Sequence, residues 1–143
     1  MKKKLLIVAM LVVVIMTAVL LAGCSGDKMQ LGFMESADGT AEYLKVNIKD
    51  YEGKTLADLL KGEESLGAKF NEYGLLSEVN GLVPTDTQYI CIFTTDESKK
   101  SVYEGAPAPI EKDGVTYYES GFGVNDLVVS KEVKYLFIII TWA

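Results

Sequence analysis

The feature that most constrains the fold is an apolar run over residues 5–22, because it decides which part of the chain is left to form a domain. Lys2, Lys3 and Lys4 precede this run, and small residues follow it. A short positive segment, an apolar segment and small residues before a cleavage point are typical of a secretory signal peptide. We therefore predict that residues 1–23 form a cleaved signal helix, which leaves 120 of the 143 residues as one domain.

The cysteine that follows the apolar run is a candidate for lipidation. Residues 21–24 read Leu-Ala-Gly-Cys, which resembles the bacterial lipobox. The resemblance implies that the thiol of Cys24 carries a diacylglycerol and that Cys24 becomes the new N-terminus. The alternative is an uncleaved membrane anchor, although about 18 apolar residues is the short limit for a spanning helix. Both interpretations place the domain on the extracytoplasmic face of the cell membrane. Residues 24–28 are the lipidated Cys24 and a short tether, residues 25–28, which reaches at most roughly 14 Å when extended.

Composition excludes several functional classes. The formal charge is −6, and it becomes −9 when the three N-terminal lysines are removed. An acidic surface argues against nucleic-acid binding, which needs clustered basic charge. The chain contains no histidine, so it cannot build a Ser-His-Asp or Cys-His nucleophile system or a histidine metal site. We therefore expect a protein that is not an enzyme, with no catalytic residues, no metal site and no tightly bound cofactor.

Cys91 is the second cysteine of the chain. Lipidation of Cys24 would leave Cys91 without a partner for an intrachain disulfide. It lies in an apolar run that reads as a strand, so we interpret it as a buried free thiol. A reactive role is the alternative, but no basic residue stands near it in the sequence.

Two strands are predicted at the start of the mature chain. Residues 29–36 form the first, and Leu44, Val46 and Ile48 alternate with polar residues in the second. A period of two is typical of a half-buried strand. Asp38-Gly39 between them is a hairpin turn signal.

One short helix is predicted after Thr55. Thr55 is a favourable N-cap residue, and Asp58 follows three positions later, as in a capping box. Gly62 is a suitable stop. The side chains that would share one helix face are Leu56, Leu59 and Leu60.

The rest of the chain reads as strands. They are predicted at residues 73–79, 89–95, 115–119, 127–129 and 133–142. Asn-Gly at 80–81 and Asp-Gly at 113–114 are turn signals. The last run is continuously apolar, which is typical of a central strand buried on both faces. This order of elements predicts an α+β fold, a β-grasp-like mixed sheet with one short helix packed across it.

Two segments resemble the DUF4430 domain, which is similar to the C-terminal β-domain of transcobalamin and intrinsic factor. Residues 53–60 resemble its Thr-Leu-x-x-x-Leu helix start, and residues 73–82 resemble its Tyr-Gly strand and the turn that follows. The resemblance implies a β-grasp domain over residues 29–143, with an insertion near 96–120. It also implies a corrinoid such as cobalamin as a ligand.

Aromatic residues in the second half are the candidates for a binding edge. Tyr103, Tyr117, Tyr118 and Phe122 lie in or beside the insertion, where loops can present rings to a ligand. The alternative is that these rings belong to the core. Adjacent Tyr117 and Tyr118 must point to opposite faces of a strand, so one of them is expected to be exposed. We expect the paired carboxylates at 63–64 and 96–97 to be solvated surface groups.

The sequence therefore predicts a membrane-anchored lipoprotein that binds a small ligand without catalysis. The alternative is a protein-interaction subunit of a cell-envelope or transporter complex. The expected attachment is to the membrane through lipid on Cys24.

Overall fold

The structure is a computed structural model that describes residues 27–142. The predicted signal helix, Cys24 and most of the tether lie outside the described residues. Within residues 27–142, no helix has the length and apolar character needed to cross a membrane.

Eight strands and one α-helix make up the described fold. In chain order they are β1 (Lys28–Met34), β2 (Glu42–Asn47), α1 (Leu56–Gly62), β3 (Lys69–Phe70), β4 (Leu76–Glu78), β5 (Gln88–Thr94), β6 (Ile110–Lys112), β7 (Val115–Glu119) and β8 (Tyr135–Thr141). Two 3₁₀ turns, Glu64–Leu66 and Glu97–Lys99, complete the regular structure.

Six strands form one mixed sheet in the order β2-β1-β8-β5-β7-β6, and β3 pairs with β4 in a small second sheet. β1 and β8 are parallel, whereas the other neighbours in the large sheet are antiparallel. β8 is therefore central, and residues 135–138 are buried on both of its faces. The prediction of an α+β fold with a buried last strand is confirmed.

The helix forms where the sequence predicts it. The Thr55 hydroxyl accepts a hydrogen bond from the Asp58 backbone N–H, and Oδ2 of Asp58 accepts one from the Thr55 N–H, each at 3.2 Å. This reciprocal pair is a capping box, which satisfies two backbone donors that the helix leaves free. The buried side chains of α1 are Leu56, Ala57, Leu59 and Leu60, and they pack onto one face of the large sheet.

The opposite face of the large sheet carries a second, smaller core, which we call the concave core. Its buried members are Met34, Cys91, Phe93, Tyr117, Leu136 and Ile138. The sheet curls around this core so far that its two edges touch. The contact is made by the Tyr43 side chain on β2, which reaches Asp113 beside β6. Gly32 makes room for the contact, since a Cβ there would lie 3.1 Å from the Tyr43 ring and closer still to Leu136.

Two local expectations differ from the structure, and a third agrees with it. The predicted strand at 73–79 shortens to β4, because the Asn71 side chain accepts hydrogen bonds from the N–H groups of Tyr73 and Leu75 and fixes a turn. Residues 127–129 form no strand; Val128 makes a single bridge to Thr55. The insertion at 96–120 adds the β6–β7 hairpin, whose turn residues Asp113 and Gly114 both have positive φ, as the Asp-Gly signal predicts.

Candidate functional site

A cavity with a mainly apolar lining lies between β4 and the start of β5, and we call it the aromatic cleft. Its volume is about 600 Å³. The side chains that give it its apolar character are Leu75, Leu76, Pro84, Tyr89, Ile90 and Trp142. A concave apolar site with a few polar groups, here Asn71, Gln88 and Asn125, is the usual form of a ligand pocket.

Strand pairing builds one end of the aromatic cleft. β5 and β8 are antiparallel in a register that sets Tyr89 opposite Ile140, and the Trp142 backbone N–H donates to the Thr87 carbonyl at 2.8 Å. The Tyr89 and Trp142 rings therefore stack, with centroids 4.3 Å apart and planes inclined by 29°. The sheet fixes this aromatic wall before any ligand arrives, so little conformational entropy is lost when a ligand contacts it.

Large apolar side chains stand exposed around this cleft. Leu75 is 62% exposed, Trp142 61% and the nearby Tyr73 79%. A group of exposed apolar side chains beside a cavity is more informative than isolated ones, because such patches commonly mark binding surfaces.

A second cavity of about 510 Å³ lies against the other face of β5, and we call it the tyrosine pocket. It is lined by Tyr89, Cys91, Tyr103, Glu119 and Phe122, together with residues 100–102 and 120–121. The Tyr103 hydroxyl donates to Oε1 of Glu119 at 2.8 Å, and the Cys91 thiol lies 3.8 Å from Oε2. One carboxylate thus holds two different side chains at the wall of this pocket.

The two partners of Glu119 are held in their protonated forms. Burial, and then the nearby Glu119 carboxylate, raise the pKa of the Cys91 thiol to about 12. The hydrogen bond to Glu119 is the main cause that raises the pKa of the Tyr103 hydroxyl. Cys91 is therefore a thiol rather than a thiolate at neutral pH, so it is poorly suited to nucleophilic attack. Its interpretation as a buried free thiol is confirmed.

The structure separates the four predicted binding residues. Tyr103 and Phe122 both line the tyrosine pocket and are 57% and 43% exposed. Tyr118 lies at a neighbouring cavity with Pro107 and Pro109. Tyr117 is fully buried in the concave core, so its assignment to an exposed binding edge is corrected. Tyr117 lies on the face of β7 that covers the concave core, so its neighbour Tyr118 points to the opposite face.

Sequence reasoning missed the aromatic cleft. Tyr89 and Trp142 come together through a strand pairing that joins distant parts of the chain, and Leu75 is presented by a turn where the sequence predicts a strand. One signal was available, because Trp142 is the only tryptophan of the chain and stands at the end of an apolar strand.

The described residues offer apolar contacts, hydroxyls and carboxylates rather than a metal centre. Within residues 27–142, no group of three or more histidine, cysteine, aspartate or glutamate side chains is arranged to hold a metal ion.

Comparison with known proteins supports the fold alone. No protein-family model matches this sequence, and no curated protein sequence matches it significantly. The fold is similar to that of a crystal structure from Ruminococcus gnavus described as a candidate metal binding protein. That similarity has a TM-score of 0.53 with 13% sequence identity, and it covers 82% of this chain and 99% of the other. The chain is thus similar in fold to a protein of solved structure.

Proposed function

We propose that this protein is a lipid-anchored, extracytoplasmic module that binds a small ligand in the aromatic cleft without catalysing a reaction. The observation that carries the proposal is the cleft itself, a cavity of about 600 Å³ to whose lining Tyr89, Trp142 and the exposed Leu75 contribute. The anchor rests on the lipobox-like residues 21–24.

A corrinoid is the specific ligand we propose for this cleft. The proposal draws on the resemblance of residues 53–60 and 73–82 to the transcobalamin-like domain. The second of these segments contains Leu75 and Leu76, which line the cleft. A broad apolar wall with polar groups at its rim suits a large ring system that carries amide side chains.

The donor set of the described residues favours an organic ligand over a bare metal ion. The solved protein of similar fold is described as a candidate metal binding protein. Residues 27–142 of this chain contain no cluster of metal-ligating side chains.

The single tryptophan makes the proposal directly testable. The full chain in lipid nanodiscs is titrated with cobalamin, and binding is followed by calorimetry and by the fluorescence of Trp142, with empty nanodiscs as the reference. We expect saturable heat and a fluorescence change at micromolar cobalamin. Leu75→Asp should weaken binding at least about tenfold, since it places a charge on the apolar wall.

Val128→Asp is the matched control for this experiment. Val128 is 47% exposed but does not line the aromatic cleft. An equal loss of cobalamin affinity in the Leu75→Asp and Val128→Asp variants would indicate a general effect of the added charge. If cobalamin produces neither heat nor a fluorescence change, the proposal that the ligand is a corrinoid is wrong. If an anilinonaphthalene dye also fails to bind in a Leu75-dependent way, the cleft is not an apolar binding site.

A further inference from the structure

The first half of β5 is paired on one side only. All seven residues of β5 pair with β8, whereas only Phe93 and Thr94 pair with β7. One further bond joins the Ser120 N–H to the Ile92 carbonyl at 2.8 Å, and then the chain turns away. Residues 88–91 of β5 therefore have a strand partner, β8, on one side only. We call the unpaired side of these residues the open edge, and it lies in the interior of the strand order rather than at an outer strand.

Two hydrogen bonds show which backbone groups face this open edge. The Thr87 carbonyl accepts from Trp142 in the direction of β8, and the Ile92 carbonyl accepts from Ser120 in the direction of β7. In an antiparallel strand the backbone groups of successive residues point to alternate sides. The N–H and the C=O of Ile90 therefore both face the open edge, and within residues 27–142 they have no backbone partner there.

The two cavities lie on opposite faces of this edge. Ile90 and Ile92 line the aromatic cleft on the face that carries the helix, whereas Cys91 lines the tyrosine pocket on the concave face. Tyr89 contributes to both cavities. A chain lying along the edge would thus meet one cavity on each side of its backbone.

We infer that the open edge of β5 binds an extended peptide segment of a partner protein as an added strand. The inference builds on the proposed binding role and names a class of ligand for the surface that joins the two cavities. An extended polypeptide backbone supplies a donor and an acceptor at the spacing of the Ile90 N–H and C=O. Its successive side chains point to opposite faces, which matches one cavity on each face.

The register of the added strand follows from the same geometry. The peptide residue opposite Ile90 exchanges two hydrogen bonds with it if the strands are antiparallel, and its side chain enters the aromatic cleft. The residues before and after it point toward the tyrosine pocket. We therefore expect an apolar or aromatic residue opposite Ile90, and a neighbour able to reach Tyr103 and Phe122.

Selection from a random decapeptide library tests the inference with the full chain in lipid nanodiscs. Selected peptides are then N-methylated one position at a time, which removes a backbone donor and keeps the side chain. We expect micromolar binding, a loss of at least about tenfold at alternate positions, and slower hydrogen exchange at the Ile90 amide. Ile90→Pro should abolish peptide binding, whereas Ile90→Val keeps the backbone donor and should retain it.

Four outcomes would overturn the inference. If N-methylation does not weaken peptide binding at every second position, the peptide contacts side chains and not the backbone of β5. Binding that leaves the Ile90 amide unprotected would place the peptide elsewhere. No selected peptide, together with self-association that protects the same amide, would show that a second copy pairs with the edge. Cobalamin binding without peptide binding defeats this inference alone, and the reverse result defeats only the corrinoid.

Discussion

The hydroxyl of Tyr43 donates a 2.5 Å hydrogen bond to Oδ2 of Asp113, a residue 70 positions away in the sequence. Tyr43 lies on β2 at one edge of the six-stranded sheet, and Asp113 lies in the turn that follows β6 at the other edge. The Lys112 ammonium adds a second link by donating to the Gly39 carbonyl at 3.2 Å. These contacts hold the sheet curled around the concave core.

Tyr43→Phe removes the hydrogen bond and keeps the ring. We expect the free energy of unfolding to fall by about 0.5–1.5 kcal/mol, as for one hydrogen bond at a partly exposed site. Hydrogen exchange should quicken in the β6–β7 hairpin more than in β8. Urea unfolding and exchange by mass spectrometry measure both effects. Tyr73→Phe is the control, because Tyr73 is 79% exposed and should change neither quantity.

Two buried tyrosines should respond in opposite directions when they lose their hydroxyls. Among the described residues, the fully buried Tyr117 hydroxyl has no hydrogen-bond partner, whereas the Tyr135 hydroxyl donates to the Val128 carbonyl at 2.7 Å. We expect Tyr117→Phe to raise the free energy of unfolding by about 1 kcal/mol and Tyr135→Phe to lower it by about the same amount. Urea denaturation compares them, and a loss of stability in both variants would show that Tyr117 has an unrecognised partner.

Cys91 should resist thiolate-dependent alkylation in the folded state. Burial raises its pKa from 9.0 to about 12, so the folded chain holds the proton more tightly than the unfolded chain. The stability that this supplies is intact below about pH 9 and is lost as the pH rises toward about 12. At mildly alkaline pH we expect iodoacetamide to label Cys91 at least about a hundredfold faster in guanidinium chloride than in buffer.

Peptide mapping by mass spectrometry assigns the label to Cys91 rather than to Cys24. Cys91→Ala is the control for the pH dependence, because it should flatten the part of the stability profile that falls above about pH 9. Equal labelling rates in the two solvents would show that the thiol is exposed and reactive.

Cys24→Ala tests the proposed anchor. If the lipobox-like segment is processed, the variant should incorporate no labelled fatty acid and should accumulate as a precursor that keeps residues 1–23. Metabolic labelling measures the incorporation of fatty acid. The mass of the protein recovered from the membrane fraction shows whether residues 1–23 are still present. Cys91→Ala should be lipidated normally. A Cys24→Ala protein that matures at the usual length would exclude lipoprotein processing.

The parts of the fold that the sequence predicts well are those set by residues that are close together in the sequence. The capping box of Thr55 and Asp58 involves residues three positions apart, so it is legible without the rest of the molecule. Positive φ at Asn80, Gly81, Asp113 and Gly114 was likewise predictable from the residue types.

The candidate site was harder to predict because it depends on pairing between distant strands. Alternation shows that Tyr117 and Tyr118 face opposite ways, but only the curl of the sheet decides which one is buried. No local pattern places Tyr89 beside Trp142, because that contact follows from the register of β5 with β8. The open edge of β5 is likewise invisible in the sequence, since it arises where residues 120–123 leave the sheet.

The central position of β8 also controls when the domain can fold. β1 pairs with β8 and not with β5, so the sheet has no continuous row of strands until residues 135–141 have been synthesised. Before that point, β1 and β2 can form only an isolated hairpin, which is marginally stable in water. An emerging chain should therefore stay loosely structured, and the export that we propose would then precede assembly of the sheet.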